Sequence, residues 1–133
     1  MKKPKKKKKP YKACIALAKK IAKARDGHKS VKSGITGEVK QLHGSHILGI
    51  GAHPKMAVYP LNIKTLTSRE HRWWHSAPTE SGEWFVKAFP EWAEELEELR
   101  KKVENSTKKP DYQLIYQELK EELKKYEDAQ TIY

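Results

Sequence analysis

Four of the six histidines in this chain bracket one short segment, as two pairs on either side of an asparagine: His43 and His46, then Asn62, then His71 and His75. His71 and His75 are four residues apart. On a helix that spacing puts both imidazoles on one face, about one turn apart. Two neutral ring nitrogens so placed can hold one divalent ion. The residues between them are Arg72, Trp73 and Trp74, so the metalloprotease pattern His-Glu-x-x-His is absent. His46 lies in Gln41-Leu42-His43-Gly44-Ser45-His46-Ile47-Leu48, whose apolar and β-branched residues predict a short strand. The expected local order is therefore a strand carrying a histidine, a turn carrying an asparagine, and a helix carrying two histidines.

That order suits phosphodiester hydrolysis. The reaction needs a base to take a proton from water, and a neutral histidine does this near neutral pH. It needs a cation to polarise the phosphate and to stabilise the leaving oxygen. It also needs the long connection between strand and helix pinned, so that base and cation face one phosphate. An asparagine side chain bridging backbone groups across the loop can do that.

The rest of the chain supplies a frame. Residues 1–10 are a lysine run closed by prolines, expected to be disordered until a partner is met. From Tyr11 to about Arg25, Ile15, Leu17, Ala18, Ile21 and Ala22 make an apolar helical stripe, and Asp26-Gly27 ends it. Residues 28–41 suggest a loop and a short hairpin. Gly49, Gly51 and Pro54 mark a long turn, and Val58 to Ile63 suggests a return strand or loop. Ser68 is the expected N-cap of a helix to about Ser76, with Glu70 in its first turn. Further helices are expected over Glu80–Ala88, from Pro90 to about Val103, and after an Asp111 cap, where Ile115, Leu119, Leu123 and Tyr126 form a stripe. The last two have the pattern of a helical hairpin. The expected class is thus α+β, a small ββα core flanked by helices. Its organisation is a tail over 1–10, a core domain with its basic helix over 11–90, and a C-terminal hairpin over 91–133.

Charge points to a partner. Residues 1–90 hold 20 Lys and Arg against 5 Asp and Glu, whereas residues 91–133 hold 8 against 12. A polycation without an adjoining apolar anchor favours nucleic acid over a membrane surface. Lys19, Lys20, Lys23 and Arg25 on the first helix, and Arg69 and Arg72 beside His71, are the candidate phosphate contacts. The acidic C-terminal face would keep DNA away from that end and is open to self-association as a homodimer. The lone cysteine, Cys14, sits in an apolar run and reads as a core thiol rather than a nucleophile. No apolar run is long enough for a membrane span, and none follows the basic start as a secretory signal requires, so an intracellular, non-secreted protein is expected.

The segment His46 to His75 resembles the HNH (ββα-metal) nucleases. Leu17 to Leu99 more specifically resembles phage NinG-like recombination nucleases, through Arg25-Asp26-Gly27, Leu42-His43-Gly44-Ser45-His46-Ile47, Asn62-Ile63, His71-Arg72-Trp73-Trp74-His75, Pro78 and Glu83-Trp84-Phe85. The resemblance implies a metal-dependent endonuclease acting on duplex or branched DNA in phage or viral recombination or processing. If viral, its location would be the host cytoplasm. It implies His46 as general base, Asn62 as the loop-fixing residue, and His71 and His75 as ligands of one divalent ion, whether Mg²⁺, Mn²⁺, Ni²⁺ or Zn²⁺. His53 matches a loop residue of the family and otherwise reads as a turn residue.

Two departures stand out. Many relatives carry two Cys-x-x-Cys pairs around a structural zinc, and the matching positions here are Ser30, Ser33, Thr67 and Glu70. A knuckle held by packing and hydrogen bonds is expected instead. Many relatives also place Asp or His directly before the base, where this chain has Ser45. His43 becomes a candidate third ligand if the strand bends at Gly44, with water or phosphate otherwise completing the shell. Two alternatives follow: a nucleic-acid-binding protein that retains the fold without catalysis, and a structural protein binding partners through its C-terminal helices.

Overall fold

A computed structural model describes residues 10–131; the lysine tail, Pro10 excepted, lies outside them. Over the described residues the fold is α+β, five α-helices around one two-stranded antiparallel sheet. Helix α1 spans Pro10–Arg25, strand β1 Leu42–His46, strand β2 Ile63–Thr67, and helices α2 Ser68–Ser76, α3 Pro78–Ala88, α4 Pro90–Glu104 and α5 Tyr112–Thr131. No helix among the described residues is long and apolar enough to cross a membrane.

The sheet is a filling between helices. The register pairs His43 with Leu66, Gly44 with Thr65, Ser45 with Lys64 and His46 with Ile63. Side chains alternate between the faces of a strand. Gly44, His46, Ile63 and Thr65 therefore share the face toward α1, and His43, Ser45, Lys64 and Leu66 share the face toward α2. Gly44 is where α1 comes closest: a Cβ there would lie 2.8 Å from Lys19 Cγ and 3.3 Å from Ile63 Cγ2. The other side of α1 buries Cys14 and Ala18 against α5, with Leu119 in the same cluster. Cys14 is fully buried, its thiol donating to the Tyr112 carbonyl at 3.2 Å, as a core thiol does.

Several boundaries differ from the pattern in the sequence. The return strand is Ile63–Thr67, while Pro54–Val58 and Pro60–Asn62 are 3-10 turns. Proline at the start of each turn fixes φ and removes a ladder donor, so pairing begins only after Asn62. The expected hairpin before β1 reduces to one bridge between Lys29 and Thr36. The N-cap of α2 is Thr67 rather than Ser68: the Thr67 hydroxyl accepts from the Glu70 amide, and the Glu70 carboxylate accepts from the Thr67 amide. The C-terminal helices do not form a self-contained hairpin. Helix α5 packs chiefly on α1, whereas α4 lies against α3 and the two 3-10 turns.

Candidate metal and nuclease site

Helix α2 starts directly from β2, and its capping box sets the angle at which it leaves the sheet. His71 and His75 project from it with their Nε2 atoms 3.0 Å apart. Two nitrogens each about 2.1 Å from one ion, about 90° apart, are separated by about 3.0 Å. The pair therefore fits two adjacent positions of one coordination shell.

His43, the candidate third ligand, is placed differently. It approaches the other edge of the His71 ring, Nδ1 to Nδ1 at 3.0 Å, with the rings nearly perpendicular. Its Nε2 is 3.1 Å from Ser68 Oγ. The reason is the strand's alternation together with its straight path through Gly44, which keeps His43 over the first turn of α2. The proton arrangement that frees His71 Nε2 runs in one direction: His71 Nδ1–H donates to His43 Nδ1, and His43 Nε2–H donates to Ser68 Oγ. His43 so orients His71 from behind, as outer-shell partners of ligating histidines do. Among the described residues no group of three or more His, Cys, Asp or Glu side chains is placed to hold a metal.

His46, three residues on, lies on the opposite face of β1. Being at the strand's end, it reaches a cleft of about 470 Å³ whose walls also include Lys19, His71, Trp74 and His75. Its Nε2 lies 2.9 Å from the Ala57 carbonyl. A carbonyl only accepts, so Nε2 carries the proton and Nδ1 holds the lone pair. Burial lowers the His46 pKa against the pull of that hydrogen bond, and Lys19 and Lys64 lower it further. The His71 pKa falls to about 4, through burial first, then His75, His43, Lys64 and Lys19. Both imidazoles are thus neutral near pH 7.

Asn62 is fully buried and ties the long connection to itself. Its Oδ1 accepts from the Leu48 amide at 2.8 Å, and its Nδ2 donates to the carbonyls of Leu48 and Met56, each at 3.1 Å. The Ile47 amide donates to the Asn62 carbonyl at 2.8 Å. The two ends of the connection are thereby closed just beyond His46.

The candidate phosphate contacts divide. Lys19 lines the cleft. Lys20 and Lys23 do not line it. Arg25 is engaged inside the protein: it pairs with Asp26, donates to the carbonyls of Pro60 and Ile63, and stacks on Trp92. Those contacts occupy the guanidinium that the sequence offers as a phosphate contact. Arg69 and Arg72 lie on the far side of His71 from Lys19, in a second hollow. His53 is held at 2.5 Å from Glu104 of α4, away from the imidazole pair.

The positions matched to the zinc thiols do come together. Ser30 Oγ donates to Glu70 Oε1 at 2.6 Å and accepts from the amides of Lys32 and Ser33, each at 3.1 Å. Burial works to raise the Glu70 pKa, but hydrogen bonds with Ser30, Ser33 and Thr67 outweigh it and hold the carboxylate below its ordinary value.

Lys64 has no counterpart in the sequence reading. It is fully buried, with Nζ 3.3 Å from Ser45 Oγ and over the ring of Trp74. A lone lysine between Ile63 and Thr65 is its only local signal, and it falls just past the return segment Val58 to Ile63 that the sequence suggests. The tryptophans both turn to α3, Trp73 against Trp84 and Trp74 against Phe85. Trp74 also walls the cleft. Comparison with protein-family models, curated proteins and solved structures finds no match to this chain.

Proposed function

We propose that the chain is a metal-dependent endonuclease of the HNH type, hydrolysing phosphodiester bonds in DNA. The observation that carries this reading is the shared cleft: a histidine of fixed tautomer and a cis-spaced histidine pair face one opening, with Lys19 beside them. His71 and His75 would hold the divalent ion, which when bound supplies charge to polarise a phosphate and stabilise the leaving oxygen.

The chain's own residues divide the remaining work. His46 Nδ1 takes a proton from water, whose oxygen bonds to phosphorus as the bond to the leaving oxygen breaks; solvent returns a proton to that oxygen. The Ala57 carbonyl holds the His46 ring in the tautomer this requires. Asn62 keeps the loop closed beside it. Lys19 contributes positive charge, and the neutral state of His46 and His71 keeps their lone pairs available near pH 7.

The test is incubation of the purified chain with supercoiled plasmid and Mg²⁺, Mn²⁺, Ni²⁺ or Zn²⁺. Cutting that disappears in His46→Ala and in His71→Ala is the expected result. Binding without cutting under every metal would instead favour a non-catalytic nucleic-acid-binding protein. That second reading draws on the two-histidine ligand set.

A further inference from the structure

Beside the imidazole pair, three exposed cations surround a hollow of about 480 Å³: Lys40 from the segment before β1, and Arg69 and Arg72 from α2. Among the described residues no carboxylate lies within ion-pair distance of any of them. The hollow is not isolated. It shares Ser68 and Arg72 with a shallow depression lined by His43, His71 and His75, and that depression shares His71 and His75 with the cleft of Lys19 and His46. The three make one trough across α2, cationic at both ends and imidazole-lined in the middle.

We infer that the Lys40–Arg69–Arg72 hollow is a second phosphate subsite, which grips a polynucleotide backbone on the opposite side of the imidazole pair from Lys19. This rests on the nucleic-acid reading above. Three cations around one hollow, none with a carboxylate within ion-pair distance among the described residues, raise the local potential, which an anionic polymer relieves. Arginine's fork suits phosphate oxygens in particular. The scale also fits. Arg69 and His75 are six residues apart on α2, about 9 Å at about 1.5 Å per residue. That is long enough for the subsite to contact a different phosphate of the same strand from the one at the imidazoles.

The test is the salt dependence of binding, read by fluorescence anisotropy of a labelled DNA oligonucleotide in EDTA, where no cleavage intervenes. The triple variant Lys40→Gln, Arg69→Gln, Arg72→Gln should weaken binding at least tenfold in about 0.1 M salt and flatten the log–log salt slope by about 2 to 3. A matched triple variant at Lys87, Lys101 and Lys102, none of which lines the trough, should leave both quantities at the wild-type value. Circular dichroism of both variants verifies the fold. A slope for the first variant equal to that of wild type, or to that of the matched control, overturns the subsite. Failure of the hydrolytic reading shows separately, as an absence of metal-dependent cutting with the salt slopes unaffected.

Discussion

His43 and His71 meet Nδ1 to Nδ1 at 3.0 Å, so that the His71 ring is approached at both of its edges: by His43 behind and by His75 in front. His43 and His75 are then unequal in their effect on a bound ion. Calorimetric titration with Ni²⁺ or Zn²⁺ should show binding abolished in His71→Ala and in His75→Ala. His43→Ala should retain binding with affinity about 10- to 100-fold weaker, the usual cost of losing an outer-shell partner. Equal, complete loss in all three variants would make His43 a direct ligand.

Asn62 offers a sharper stability test. Its fully buried side chain makes three hydrogen bonds to the backbone of the connection, two to Leu48 and one to Met56. Asn62→Ala leaves the Leu48 amide and the carbonyls of Leu48 and Met56 without these partners, at a cost of about 3 kcal/mol. Urea unfolding measures it. Asn62→Asp keeps the acceptor but loses both donors, so it should not restore wild-type stability.

Lys64 sets a pH dependence. Burial lowers its pKa from 10.5 to about 6, while the face of the Trp74 ring works in the other direction by favouring the ammonium. Between those two values the unfolded chain binds more protons at this site than the native one, so unfolding free energy rises with pH and is lost as pH falls toward 6. Between about pH 7 and about pH 9 the contribution is on the order of 2 kcal/mol. Lys64→Met should flatten this slope in urea titrations at the two pH values. An unchanged slope would mean that the amine is charged where it lies.

The Ser30–Glu70 contact has the same sign in a more acidic window. Its carboxylate is held below its ordinary pKa, so the stability it contributes is present above that ordinary value and is lost as pH falls below it. Ser30→Ala and Glu70→Gln should each cost about 1 to 2 kcal/mol near neutral pH. The loss in Glu70→Gln should shrink in acid, as thermal unfolding at the two pH values will show.

How far these features were legible in the sequence depends on their range. The i, i+4 pair of His71 and His75 and the apolar stripes of α1 and α5 are local regularities, and they appear where the spacing puts them. The capping box was visible as Thr67-x-x-Glu70 but was read one residue late, since Ser68 is equally apt as a cap in isolation. The role of His43 depended on which face of β1 it shares, and that follows from the register with β2, set only after two proline turns. Arg25 looked like any helix cation because its partners, Pro60, Ile63 and Trp92, are far away in sequence. Lys64 is buried through contacts with Ser45 and Trp74, neither adjacent to it.

The position of α1 has a consequence for how the molecule comes into being. Its inner side supplies Lys19 to the cleft, while its outer side rests on α5, the Cys14–Tyr112 contact spanning 98 positions of chain. Such remote closure is slow relative to hairpin and helix formation. A nascent chain that has emerged only as far as α4 has a bare apolar stripe on α1 and an unsupported wall beside its imidazoles. Trimming the protein to the two strands and α2 would remove the roof on which that wall depends, so a fragment that keeps the cleft intact must extend through α5.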